Sequence, residues 1–350
     1  MDNKDFEWDE PMSSDTKMDP GEVLRLENEF QLHGGRGVDN LVKVMEGTND
    51  ITIPETYNKT IPNISQSLIR DLLYKGNEKE YCPQRFYRTW IKANVKREAS
   101  EAMLEGRYGE TMLLGGCSRG EQQLDLPRAI KNGEKKINQQ RIDIQVERAK
   151  LTMVRHSIAI HPDLNCQIVL KKVINGVLCQ GEFDIAPVTL TNIDINNPEK
   201  PMIAFIDVKF TGNVESTFGY GNAPGWGDYV NMDHIQMKMY HELIRDIDFS
   251  LNDHLTNEQI ELFKNIQGHD IMGFYWVFSY KVPIESLSDR FFGYSYDTTK
   301  RAELYEDIRK VVSIIEFHNA NDDWDHCIQS RECSKCPVSD CIFKNSIQTV

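Results

Sequence analysis

Residues 202–210, Met-Ile-Ala-Phe-Ile-Asp-Val-Lys-Phe, are apolar except for Asp207 and Lys209. Side chains alternate along a strand, so a strand that is apolar on both sides needs both faces of its sheet covered, as in the centre of an α/β sheet. Asp207 and Lys209 stand two residues apart and therefore share one face. Burying a charge costs several kcal/mol unless it is paired or liganded. An acid and a base inserted together into such a strand mark a site more readily than a solvated edge.

The flanking segments have the alternation that such a sheet requires. Leu68, Ile69, Leu72 and Leu73 give a helical face from Ser65 onward, and a second helix over 83–105 follows Pro83. Residues 116–134 read as loop and 135–151 as a polar helix. Two β-rich runs flank Asn175-Gly176, a pair that tolerates the positive φ of a tight hairpin. Helix 233–246, strand 271–281 and helix 299–318 complete the order. The fold class expected is α/β: a mixed central sheet flanked by helices, with a helical N-terminal part and a C-terminal cysteine cluster. Residues 1–63 read as an acidic, partly disordered extension in which 1–20 form a mobile arm, and 64–350 as the main domain.

Acidic residues number 54 against 40 basic ones, a net charge of −14. Bulk attraction to a polyanion is therefore excluded, and a nucleic-acid enzyme of this composition needs a local basic path or metal ions. No apolar run is long enough to span a bilayer, and the N-terminus lacks the basic-then-apolar order of a secretion signal. The expectation is a soluble, intracellular protein with no membrane partner. A Walker-type phosphate loop, an H-E-x-x-H pair and serine or cysteine nucleophile motifs are all missing from the sequence.

Upstream of the central strand, Gly181-Glu-Phe-Asp184 ends the second hairpin strand, and a neighbouring strand sets Asp184 beside Asp207. Two carboxylates that close repel unless a cation bridges them. Hard oxygen ligands suit Mg²⁺ or Mn²⁺, with the Val208 carbonyl as a third oxygen. Glu110, in Gly106-Arg-Tyr-Gly-Glu110 after a helix, completes the shell directly or through water. Downstream, Gln236 and Tyr240 are four apart, hence on one helix face, where both can donate hydrogen bonds to a phosphate.

Eight cysteines in a reducing compartment are buried apolar residues or metal ligands. Cys333-x2-Cys336-x4-Cys341 has ligand spacing, whereas Cys117, Cys166 and Cys179 do not. With Cys327 all four ligands are local, a set suited to Zn²⁺.

A glutamate, then G-x-x-D, then an apolar strand with D-x-K, then Q-x-x-x-Y resembles the RecB-like branch of the PD-(D/E)xK nuclease superfamily. The segment Ile-Ser-Gln-Ser-Leu-Ile-Arg-Asp-Leu-Leu (64–73), followed by Cys82-Pro-Gln-Arg-Phe86-Tyr87, is similar to the helical opening of those nucleases. The matching segments span about 64–341. The resemblance implies a restriction-endonuclease-like sheet and a DNA nuclease, acting as an exonuclease on ends or single strands. By it, Asp184 and Asp207 hold the metal, Lys209 orients or activates the attacking water, and Gln236 and Tyr240 position the DNA backbone. It also implies, as in the CRISPR-adaptation exonucleases and AddB-type domains, a 4Fe-4S cluster on Cys82, Cys333, Cys336 and Cys341 that staples the two ends of the domain. Two departures stand out. No histidine occurs in 97–116, where many relatives place a metal ligand, and four residues rather than the commoner five separate the last two cysteines.

The loop Gly219–Gly225 reads as flexible, with Phe218, Tyr220 and Trp226 anchoring it or else stacking bases, and the basic stretch Lys131, Lys135, Lys136, Arg141, Arg148 and Lys150 reads as a solvated face or else a phosphate contact. The alternative to an enzyme is a non-catalytic nucleic-acid-binding or assembly protein retaining the fold. By analogy, such a chain belongs to viral or mobile-element replication and works unaided or beside a helicase or recombination partner.

Overall fold

A computed structural model describes residues 61–73, 82–95, 100–115, 137–194, 196–212, 234–325, 327, 336–339 and 341. The readings made above for 1–60, for the 116–134 loop, for Cys117, Lys131, Lys135 and Lys136, for the Gly219–Gly225 loop and for Cys333 lie outside the described residues.

Helix α1 (Gln66–Leu73) buries Leu68, Ile69 and Leu72, with the Ser65 hydroxyl accepting from Leu68 N at 3.3 Å. Helix α2 (Pro83–Phe86) begins on a proline, whose absent N–H is no loss in a first turn. It continues into a single π-turn, Tyr87–Ile91. The helix expected over 83–105 is thus two: Ala93 takes a left-handed φ of 49°, and α3 (Glu101–Leu114) starts afresh behind Ser100, which caps Met103 N. Glu110 consequently lies inside α3, not after a helix. Gly106 and Gly109 look like breakers in the sequence, yet a Cβ on Gly109 would stand 2.6 Å from the Phe210 ring. Glycine lets α3 approach the sheet there.

Helix α4 (Ile137–His156) runs past its expected end. Strands β1 (Cys166–Ile174) and β2 (Val177–Leu190) form the expected hairpin, with Asn175 at φ 52° and Gly176 at φ 75°. Then follow β3 (Met202–Thr211), α5 (Ile235–Ile244), α6 (Asn257–Lys264), β4 (Ile271–Ser279), β5 (Asp289–Tyr294) and α7 (Thr298–Asn321). Sequence reasoning missed α6 and β5; α6 has a capping box, Thr256 with Gln259, as its start signal.

The sheet order is β1-β2-β3-β4-β5. Only the β3–β4 pair is parallel among these neighbours; the others are antiparallel. Both faces are covered. Phe205, Tyr275 and Val277 pack with residues of α1, α5 and α7, while Ala204, Ile206, Val208, Phe274, Trp276 and Phe278 pack with Leu113, Ile142 and Val146 of α3 and α4. That division explains the two-sided apolar pattern of β3, and it places Asp207 and Lys209 on the α5 side. Ile61 and Ile64 are buried in the α5-side core, and Ile64 bridges to Cys179, so the packed body already includes residues just before position 64. Among the described residues no helix is long and apolar enough to cross a membrane.

Candidate active site

β2 and β3 bring the two aspartates together. Ile185 pairs with Ile206 in antiparallel register, which sets Asp184 beside Asp207. The β2–β3 ladder runs from that pair away toward Leu190 and Met202. Val208 N–H, beyond the ladder's end, donates to Asp184 Oδ2 at 2.7 Å. Asp184 also lies at a break in the β1–β2 ladder, between the pairs Cys166–Ile185 and Ile168–Phe183, where Gln167 adopts a φ of 52°. Cys166 and Ile185 pack into the α4 layer, whereas Ile168 and Phe183 pack into the α5 layer. The break therefore switches the facing of both strands at the site.

Asp207 is fully buried. Its Oδ2 faces the Lys209 ammonium at 2.6 Å, an ion pair without good hydrogen-bond alignment. The same ammonium lies 4.0 Å from Asp184 Oδ2 and donates to the Val208 carbonyl at 3.2 Å. On α5, Gln236 Nε2 donates to Asp207 Oδ1 at 2.6 Å and to the Tyr240 hydroxyl at 3.0 Å. Tyr240 in turn donates to the Glu182 carbonyl, and its ring stacks on Phe183 at 4.4 Å. The resemblance implies the DNA backbone as the partner of Gln236 and Tyr240; in the structure their hydrogen bonds run to Asp207 and to β2.

Burial, then the Asp207 charge, raises the Asp184 carboxyl well above the ordinary carboxylate range, against the pull of Lys209. Burial also raises Asp207, again opposed by Lys209. For Lys209, burial alone would favour the neutral amine, but Asp207 and Asp184 outweigh it and keep the ammonium charged. One cation thus neutralises roughly half of what two carboxylates would carry.

A cleft of about 830 Å³ opens over these groups. Glu110, Asp184, Asp207, Lys209, Gln236 and Tyr240 all line it. Glu110 contributes from the α3 wall, close enough for its charge to act on Asp184 and Lys209. Among the described residues, however, no three His, Cys, Asp or Glu side chains converge as a metal-binding group. The aspartates with the Val208 carbonyl form the oxygen cluster, and Glu110 faces it across the cleft. Sequence reasoning did not find Arg70, Trp90 and Arg107, which line the same cleft. Charged residues on the polar side of an amphipathic helix carry no sequence mark that separates them from solvated ones.

The C-terminal cysteines meet the helical opening. Trp324 stacks on Phe86 at 5.9 Å and on Tyr87 at 5.3 Å, and the Cys327 thiol donates to Gln84 Oε1 at 2.8 Å. Cys341 Sγ lies 3.5 Å from Cys327 Sγ. Cys336 and Cys341 are buried together around Val338. Burial, then the bond with Cys341 and the proximity of Cys82, pushes the Cys327 thiol up to about 12. Burial raises Cys336 as well. Cys82 and Cys327 therefore sit in one group of thiols with Cys341. Cys166 and Cys179 are buried in the sheet layers apart from this group, as ordinary core thiols.

No protein-family model matches the chain, and no curated protein matches it. A solved structure does: a putative exonuclease from Eubacterium rectale, with a TM-score of 0.50 at 14% identity, covering 85% of this chain and 95% of that one. At this identity the likeness is one of fold: a mixed sheet flanked by helices.

Proposed function

We propose that this chain is a divalent-metal-dependent DNA nuclease of the PD-(D/E)xK type, acting as an exonuclease on ends or single strands. The observation that carries the reading is the convergence, in one cleft, of six residues drawn from α3, β2, β3 and α5. Buried acids without such a purpose would cost stability for nothing. The fold shared with a protein described as an exonuclease agrees with it.

The donor set fits Mg²⁺ or Mn²⁺: the buried Asp207 carboxylate, the partly exposed Asp184 carboxylate and a backbone carbonyl, all hard oxygens. Asp207 Oδ2 and the Val208 carbonyl are already turned toward a cation, the Lys209 ammonium. When bound, such an ion supplies Lewis-acid polarisation of a phosphate oxygen and a more acidic water. Asp184 and Asp207 would hold it, with Glu110 reaching it through water from the opposite wall. Gln236, fixed by Tyr240, holds Asp207 in the orientation seen. Lys209 lies beside both acids and places a positive charge where negative charge builds up during phosphodiester hydrolysis.

Clustered sulfurs suit iron-sulfur clusters or zinc and not Mg²⁺; the described cysteines alone do not converge as a metal-binding group, so the reading rests on their spacing and on the Cys327–Cys341 contact. The reading favoured here is a structural 4Fe-4S cluster on Cys82, Cys333, Cys336 and Cys341; Zn²⁺ with Cys327 replacing Cys82 is the rival set. Either would tie the C-terminus to the α2 segment.

The deciding experiment incubates the purified chain with end-labelled single- and double-stranded DNA in Mg²⁺, Mn²⁺ or EDTA. Cleavage in metal, none in EDTA, and loss in Asp207→Ala and Lys209→Ala variants that keep their circular dichroism spectrum is the expected outcome. Undiminished cleavage by both variants would remove the mechanism.

A further inference from the structure

The α1 and π-turn wall of the cleft has a role that the catalytic residues do not explain. Trp90 lies in the π-turn Tyr87–Ile91, lines the cleft and is only half-buried, packed at one side against the core. Its indole Nε1 donates to Asp71 Oδ2 at 2.9 Å, a bond that fixes the ring to α1. π-turns are rare and gather at functional sites, because the widened turn re-aims its side chains. Here it holds an aromatic ring at the cleft wall.

Two arginines line the same cleft. Arg70 precedes Asp71 on α1, and Arg107 lies three residues before Glu110 on α3, on the face that also presents Met103 and Gly106. Neither has an ion pair among the described residues, in a chain with 54 acidic and 40 basic residues. Arg70 is exposed, yet its charge reaches Asp207, so it stands near the acids without being consumed by them. Two cations with no ion pair among the described residues, in so acidic a chain, fit an anionic ligand in the cleft. A fixed indole beside them fits a flat apolar ring. A nucleotide strand offers both, and only an unpaired one can lift a base from its neighbours to stack on a protein ring.

We propose that Trp90, Arg70 and Arg107 form a subsite for an unpaired nucleotide next to the scissile bond, with a base stacked on Trp90 and flanking phosphates held by the two arginines. The proposal rests on the nuclease reading for its orientation, and specifies the single-stranded form of the substrate. Asp71 acts as a positioning residue, setting the plane of the indole.

The test measures binding without cleavage: fluorescence anisotropy of a labelled oligo-dT and of a duplex of equal length, with the full chain in EDTA. Trp90→Leu should weaken single-strand binding about 10-fold, the size of one lost base–aromatic stack, and leave the duplex affinity unchanged. Trp90→Phe should keep most of the single-strand affinity. Arg70→Gln and Arg107→Gln should each weaken it and lower the slope of log Kd against log salt by about 0.7, one phosphate contact each. If Trp90→Leu melts early, the two arginine variants decide, since Arg70 is exposed and neither arginine has an ion pair among the described residues. Single-strand affinities within two-fold of wild type in all of these variants would overturn the subsite. A chain that cuts DNA but binds independently of Trp90 loses the subsite and keeps the nuclease reading. One that binds through Trp90 and cuts nothing keeps the subsite and loses the nuclease.

Discussion

Glu242 is buried without exposed surface on α5, two residues beyond Tyr240, and its removal should loosen the whole site. Its carboxylate receives Arg301 Nη2 at 2.9 Å, the Tyr305 hydroxyl at 2.9 Å, the Tyr296 hydroxyl at 3.1 Å and Lys172 Nζ at 3.4 Å. Lys172 belongs to β1 and the other three to α7 and the segment before it, so one acid joins the Gln236–Tyr240 helix to the sheet and to the C-terminal helix. Glu242→Ala leaves two cations and two hydroxyls facing a void. Breaking a buried pair from one side costs about 3–5 kcal/mol. The Lys172 and Arg301 side chains keep 16% and 29% exposure, so water recovers part of their solvation and the low end, about 3 kcal/mol, applies. The two orphaned hydroxyls add about 1 kcal/mol together, each keeping some access to solvent. The unit Thr56–Val350 is larger than 250 residues, so each kcal/mol shifts Tm by about 1.5–2 °C, and the loss of about 4 kcal/mol lowers Tm by about 6–8 °C.

The pH dependence supplies the check on cause. Burial raises the Glu242 carboxyl, but Lys172 and Arg301 together hold it below the ordinary value of 4.5. A carboxyl depressed on folding stabilises above its unfolded pKa, and that contribution is lost as pH falls through the folded value. Thermal melts of wild type, Glu242→Gln and Glu242→Ala followed by circular dichroism at pH 7 and near pH 4 should show the gap largest at pH 7 and narrowing in acid, with Glu242→Gln between. A Tm for Glu242→Ala within 2 °C of wild type at pH 7, or a gap that widens in acid, refutes the argument.

Asp184→Asn should end cleavage and raise Tm in EDTA at pH 8: the carboxyl is raised by burial and by Asp207, so its ionisation opposes folding as pH climbs, and the amide escapes that cost. The gain should vanish at low pH, where Asp184 is already protonated; a lower Tm at pH 8 counts against the coupled-acid picture. Gly109→Ala places a methyl 2.6 Å from Phe210, whose ring is backed by Phe278 at 4.8 Å, so α3 must retreat. We expect a loss of about 1–3 kcal/mol in chemical denaturation, and a larger proportional fall in DNA cleavage because Glu110 moves with the helix; unchanged cleavage would show that the α3 wall is dispensable. For the thiols, elemental analysis with acid-labile sulfide should find iron and sulfide in wild type and in Cys327→Ala but not in Cys82→Ala. Zinc retained by Cys82→Ala and lost by Cys327→Ala would instead assign the local set.

The sequence was sufficient for most of the sheet and for placing an acid and a lysine on one strand face, though not for α6, β5 or the split of the 83–105 helix. Alternation forced Asp207 and Lys209 onto one face of β3, helical spacing forced Gln236 above Tyr240, and Asn175-Gly176 forced the hairpin; these are local consequences of backbone geometry, legible without knowing what lies across the sheet. Tertiary structure decided what each residue touches. The close approach that Gly109 permits is not legible in the sequence, because the Phe210 ring it admits is about a hundred residues away in the chain. The break at Gln167 beside Asp184 leaves no mark in the strand pattern, and the stacking of Trp324 on Phe86 and Tyr87, which brings the C-terminal segment to α2, joins residues far apart in the chain. Arg70, Trp90 and Arg107 escaped notice for the same reason. An exposed charge or half-buried ring has no periodicity of its own, and only the placing of α1, the π-turn and α3 around one cleft turns three scattered side chains into its wall.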